Sequence, residues 1–135
     1  MRIALPPKPG LRILCLIAFA VVLLQLFVLA EPPLVRELAD RTWDKLVHAL
    51  AFGSFAMLLW VGVGFHSPVW NWLLITAVGA VDEFHQLFVP NRSADILDVV
   101  ADMVGAAIVT FVLHRLSHPR RESGATPQAV VQSGD

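Results

Sequence analysis

Four apolar stretches, each close to the length of a bilayer crossing, leave this chain of 135 residues few folds to choose from. They run at about 11–30, 44–65, 68–88 and 94–116. As helices, about 20 apolar residues cover about 30 Å of hydrocarbon. The reading is therefore all-α: a polytopic membrane protein, built as a bundle of four transmembrane helices in one domain. Composition agrees, since 56% of the residues are apolar and 16% charged, with a mean hydropathy of +0.67. A soluble domain averages about 45–50% apolar and about 25% charged.

Residues 1–10 carry Arg2 and Lys8 among Pro6, Pro7 and Pro9, and read as a non-helical segment on the cytoplasmic side. The first span is longer than the usual signal core of about 7–15 residues, so it reads as an uncleaved anchor. A cleaved signal peptide is the alternative, with Val28 and Ala30 offered to a peptidase. Pro32 and Pro33 end this span, Leu34 to Arg41 suits a short helix on the membrane surface, and Trp43 suits a membrane–water boundary. Gly62, Gly64, His66 and Ser67 make a tight connection, with Ser67 placed to cap a third helix and Pro68 in its first turn. Trp60, Trp70 and Trp72 read as an aromatic belt. Val89 to Arg92 is a turn, Ser93 is a cap, and Asp95 in the first turn complements the helix dipole. Residues 117–135 read as a disordered cytoplasmic tail, rich in Ser, Gly, Pro and Gln.

A net charge of −1 argues against nucleic acid as a partner, which would need a basic face. The single cysteine, Cys15, permits no intramolecular disulfide and reads as an apolar residue of the first span. Four spans place both termini on one side. That side holds Arg2, Lys8, Arg12, Arg115, Arg120 and Arg121, against Arg36, Arg41, Lys45 and Arg92 on the other. The excess favours cytoplasmic termini and places the chain as a multi-pass protein of the inner membrane.

The polar residues are not scattered. At about 100° per residue, Asp44, Lys45, His48 and Phe52 share one arc of the second span. Gly79, Asp82, Glu83 and Gln86 share an arc of the third, and Asp95, Asp98, Asp102 and Gly105 an arc of the fourth. Each span thus has a polar stripe near the same membrane face, here the outer one. Such stripes are costly against lipid, so they should face one another. Gly79 and Gly105 would let the backbones approach closely. Asp102, about 12 Å into its helix, is the deepest charge and the one most in need of a partner.

Three kinds of chemistry fit. Clustered carboxylates with a histidine hold a divalent cation through oxygen ligands, with Glu83, Asp95 and Asp98 the candidates. Such an ion would bridge to a phosphate whose other oxygens meet Lys45 and Arg92. Alternatively, close carboxylates supply an acid and a base, with His48 and Glu83 as the catalytic candidates. The third is a satisfied network that only holds helices together: Asp44 paired with Lys45 or Arg92, Arg92 an ordinary interfacial arginine, Asp95 a first-turn acid, and one of Asp82 and Glu83 facing the headgroups. His85 points off its stripe and reads as structural.

The segment Glu83-x-x-Gln86-x-x-x-Pro90-x-Arg92-x-x-Asp95-x-x-Asp98, followed by Asp102 and Gly105, resembles the signature of the VanZ-like family of bacterial membrane proteins. Asp44-Lys45-x-x-His48-x-x-x-Phe52 resembles that family's earlier motif. The resemblance covers about Asp44 to Leu116, with the first span a less specific addition. This chain has Asp102 where the family often has Asn, so a neutral hydrogen-bonding role does not carry over. The family takes its name from a member linked to low-level teicoplanin resistance, and the resemblance implies a bacterial cell-envelope protein.

The leading expectation is a protein that binds an anionic membrane lipid or a lipid-linked cell-wall precursor through Asp44, Lys45, Gln86, Arg92, Asp95, Asp98 and Asp102. The alternatives are an intramembrane hydrolase or transferase on such a substrate, and a non-catalytic adaptor. Association with a second copy would complete the buried surface of so short a bundle.

Overall fold

The structure, a computed structural model, describes residues 7–28, 43–64, 67–89 and 94–118. Among these the regular elements are all helical: α1 (Pro9–Val28), α2 (Asp44–Val63), α3 (Pro68–Gln86) and α4 (Ile96–Ser117). The surface helix expected at Leu34–Arg41, the turn carrying Arg92, the Ser93 cap and the tail beyond His118 lie outside the described residues.

Two helix starts differ from the sequence reading. α1 begins at Pro9, inside the segment read as non-helical. Proline is tolerated in a first turn because the N–H it lacks would have no intrahelical partner there. α4 begins at Ile96, so Asp95 is its N-cap rather than a first-turn residue. The Asp95 Oδ1 accepts the Leu97 N–H at 2.9 Å, which satisfies one of the orphan donors at the helix start. Ser67 does occupy the N-cap of α3 ahead of Pro68, but its side chain makes no capping bond.

The closest packing joins α2 and α4, which run parallel: Lys45 lies beside Asp98, Ala49 beside Gly105, and Trp60 beside Ser117. Small residues set this approach. A Cβ built on Gly105 would collide with the Ala49 backbone, and one on Gly53 would lie 2.9 Å from Val109 Cγ2. α3 runs antiparallel to both and packs chiefly on α4. Phe52, Phe55, Ala56, Ile75 and Ala106 form the buried apolar core between these three helices. Beneath that core, Asn71 donates through Nδ2 to Thr110 Oγ1 at 2.8 Å and to the Ala56 carbonyl at 3.1 Å. This buried link at the other end of the bundle was not anticipated from the sequence.

α1 lies against the outer side of α2, with the Phe19 ring edge-on to Phe55 at 6.3 Å. At the end of α2, Gly64 takes a left-handed φ of 78° and Arg12 of α1 donates to the carbonyls of Gly62 (3.2 Å) and Val63 (3.1 Å). A cation on the last carbonyls of a helix satisfies orphan acceptors and complements the dipole. Arg12 therefore has a structural partner as well as a place in the charge asymmetry.

α1, α2 and α4 are long and apolar enough to cross a membrane. α3 falls short of the same measure because it carries Asn71, Asp82, Glu83 and Gln86. All four of these are buried, whereas Trp70, Leu73, Leu74, Val81 and Phe84 are exposed. The face α3 shows to its surroundings is thus apolar, and its polar residues are turned inward beside the apolar core.

The tryptophans do not form one belt. Trp60 is fully buried, edge-on to His114 at 6.1 Å. Trp72 is half-buried and donates to the Met103 carbonyl at 3.1 Å. Trp43 and Trp70 are exposed. Burying a tryptophan takes a large apolar area out of the surroundings and still permits a bond to its N–H, and in Trp60 that bond runs to Ser117 Oγ at 3.4 Å.

A buried acidic cluster at one end of the bundle

Because α2 and α4 are parallel, their N-termini meet at one end of the bundle, where α3 also finishes. Helix N-termini carry partial positive charge and unpaired N–H groups, which favour carboxylates. Asp44, Asp95 and Asp98 all lie at these two helix starts.

Lys45 ties the two starts together. Its Nζ donates to Asp95 Oδ2 at 2.7 Å and to Asp98 Oδ1, with Asp44 Oδ2 at 3.9 Å. The lysine side chain is 38% exposed, whereas Asp98 is 8% exposed. The hydrogen bond from Lys45, then that from the Leu97 N–H, hold the Asp95 carboxyl below the usual carboxylate range. A carboxyl with a depressed folded pKa stabilises the fold above its unfolded value, and that contribution is lost as pH falls through the folded one. Asp95→Asn should therefore flatten the fall in melting temperature below about pH 4. A fall as steep as in the wild type would show that the Asp95 charge does not support the fold.

His48 lies one turn deeper. Its Nδ1 is 3.0 Å from Oδ1 of Asp102, and its Nε2 faces Asp98 Oδ2 (3.9 Å) and Asp44 Oδ1 (4.0 Å). The ring stacks over Phe52, with centroids 6.4 Å apart and planes 7° apart. Asp102 is fully buried, and the niche that admits it exists because α3 has Gly79 there. A Cβ on Gly79 would sit 2.7 Å from Asp102 Oδ2. That oxygen has no hydrogen-bond partner among the described residues, so Asp102 spends its bonding on His48 alone.

On α3, Gln86 donates through Nε2 to Asp82 Oδ2 (2.9 Å) and Glu83 Oε1 (3.1 Å). The other Glu83 oxygen accepts the Asp95 N–H at 2.8 Å, tying the end of α3 to the cap of α4. Asp82 and Glu83 are both buried, against the reading that one of them faces the headgroups. Both point inward because adjacent residues, about 100° apart, straddle the inner face with Gln86 one turn on. His85 lies off this face with its ring against Phe27 at 5.8 Å, as its position in the helical period indicates.

The structure thus brings together Asp44, Lys45, His48, Glu83, Gln86, Asp95, Asp98 and Asp102, while Arg92 lies outside the described residues. It separates them by role. Glu83 and Asp95 are engaged by backbone N–H groups, Gln86 and Lys45. The described residues close enough to share a metal ion are Asp44, His48 and Asp98, whose ligand atoms lie within 4.8 Å of one another. Of the sequence candidates Glu83, Asp95 and Asp98, only Asp98 belongs to that group.

A helical bundle with an apolar exterior and a buried acidic cluster at one end defines a membrane protein that keeps a polar site within its helix ends. The family described as VanZ/LLP1 matches residues 15–117, and the chain belongs to it. The match takes in most of the first span, which the two motifs do not reach. Neither a curated protein nor a solved structure matches the chain.

Proposed function

We propose that this VanZ-family protein binds an anionic lipid, or the phosphate of a lipid-linked cell-wall precursor, at the acidic cluster, which lies at the outer face of a bacterial inner membrane. One observation carries the reading: Lys45 is held at the edge of the cluster by Asp95 and Asp98, with 38% of its side chain exposed. An ammonium has three N–H donors. Two are used by those carboxylates, which leaves one for a phosphate oxygen. Arg92, in the segment that links α3 to α4 in the sequence, would supply a second basic contact. The excess of Lys and Arg near the termini supports cytoplasmic termini and an outer-face site. A link to teicoplanin susceptibility belongs to this reading through the family.

Purified protein in nanodiscs should bind a polyprenyl phosphate in preference to a zwitterionic lipid. Arg92→Ala should weaken that binding about tenfold, the usual scale for one charge-assisted contact. Equal binding of both lipids would remove the proposal. A second reading, an intramembrane hydrolase or transferase, draws on the His48–Asp102 pair, in which a buried carboxylate orients an imidazole as in general acid–base sites. It requires turnover of a labelled lipid phosphate that Glu83→Gln abolishes at equal protein level. Neither binding nor turnover would leave an adaptor whose polar cluster is structural.

A further inference from the structure

We infer that Asp44, His48 and Asp98 form a site for one first-row divalent transition-metal ion, of the Mn²⁺ or Zn²⁺ class, with Asp102 as the residue that positions His48. The inference goes beyond lipid binding and does not require it. Three features converge. The first is geometric. His48 Nε2, Asp44 Oδ1 and Asp98 Oδ2 face one gap, with the imidazole nitrogen 4.0 and 3.9 Å from the two oxygens. Ligands of a tetrahedral ion at about 2.0–2.2 Å sit about 3.3 Å apart. The three ligand atoms lie within 4.8 Å of one another, so closing this gap on an ion takes side-chain shifts of up to about 1 Å.

The second feature is the orientation of His48. A metal-bound histidine commonly gives its other ring N–H to a carboxylate, which fixes the tautomer and aims the lone pair. Here the fully buried Asp102 takes Nδ1 at 3.0 Å, and the Phe52 ring runs parallel to the imidazole with centroids 6.4 Å apart. Nε2 is thereby turned toward Asp44 and Asp98, and no hydrogen bond to it is formed among the described residues. The third is what the neighbours leave open. Asp98 gives Oδ1 to Lys45 and turns Oδ2 to the gap. Among the described residues Asp44 has only two long ion pairs, at 3.9 and 4.0 Å, although it reaches the same gap. Four carboxylates, Asp44, Asp95, Asp98 and Asp102, surround one ammonium and one imidazole, so a cation there relieves repulsion that Lys45 only partly offsets. One nitrogen with two oxygens selects a borderline ion over Mg²⁺ or Ca²⁺, which favour oxygen-only ligands.

The test uses the full chain in detergent, stripped with a chelator and titrated with Mn²⁺, Zn²⁺ and Mg²⁺ in phosphate-free buffer. Its outcome is therefore independent of lipid binding. The wild type should take up one Mn²⁺ or Zn²⁺ per chain, and bound Mn²⁺ should show an altered paramagnetic resonance spectrum. Mg²⁺ should compete poorly. Asp44→Asn removes a ligand that makes no hydrogen bond among the described residues, and should weaken binding at least about tenfold at an unchanged melting temperature. Asp102→Asn should weaken binding about 10–100-fold and alter the Mn²⁺ spectrum while the stoichiometry stays at one. Gly10→Ala, at the start of α1 with open space around its added Cβ, should bind as the wild type does. No uptake by the wild type below about 1 mM metal, or equal affinity in the wild type and Asp44→Asn, would overturn the assignment.

Discussion

Gly105→Ala should be the most damaging single methyl in this protein. The added Cβ would come within 2.6 and 2.7 Å of the Ala49 carbonyl carbon and Cα, and closer still to the carbonyl oxygen. The clash is with backbone, so no rotamer change relieves it. α2 and α4 would have to separate along the contact that also seats Gly53 against Val109. Overpacking usually costs about 1–3 kcal/mol, and a backbone collision belongs at or above the top of that range. The expected result is a large fall in melting temperature in detergent, or failure to accumulate. Gly10→Ala is the control, because nothing lies within 4 Å of its added Cβ, and it should melt as the wild type does or slightly higher. If both variants melt alike, α2 and α4 are not as close as described.

Removing the Lys45 charge should have the next largest effect. Lys45→Met leaves the nearly buried Asp98 carboxylate without its cation, beside Asp95 and close to Asp102. Breaking a fully buried pair costs about 3–5 kcal/mol, whereas exposed pairs are worth about 0–1 kcal/mol. A lysine that is 38% exposed bonded to a buried aspartate falls between these limits, at about 2 kcal/mol. Neutralising both partners removes the stranded charge, so Lys45→Met combined with Asp98→Asn should recover much of the loss. A double variant as unstable as Lys45→Met alone would mean that the lysine acts by packing, and the electrostatic account would be abandoned. High salt should reduce the difference between the wild type and the single variant, since the pair reaches the surface.

The two expectations rest on different physics, yet they share one cause. The parallel contact of α2 and α4 at Gly105 draws together two helix starts that both carry carboxylates. Close approach and charge crowding come as one arrangement, and Lys45 is the residue that makes it tolerable. The same crowding gives the lysine its fixed position at the edge of the cluster, where the proposed phosphate contact lies. It also turns His48 toward Asp44 and Asp98.

Helix content, the apolar exterior and the three polar stripes were legible in the sequence because they depend on local properties. Apolar run length sets which segments span, and the period of 3.6 residues sets which side chains share a face. The stripes Asp44–His48, Asp82–Gln86 and Asp95–Asp102 do turn toward one another, and Gly79 and Gly105 do mark close approaches. The family was legible too, since its motifs lie on those stripes. The tertiary structure decided the partners. The purely structural reading pairs Asp44 with Lys45 or Arg92, and Lys45 does lie 3.9 Å from Asp44, but it turns its shorter bonds to Asp95 and Asp98. Glu83 and Asp95, two of the candidate metal ligands, are hydrogen-bonded to Gln86, Lys45 and backbone N–H groups. Trp60, expected at an interface, is in the interior. Helical periodicity fixes angles around one axis only. It does not fix which helix lies alongside, how far each slides or how each turns about its axis. Those quantities come from packing, and here they are set by the Ala49–Gly105 contact that brings parallel helices into register.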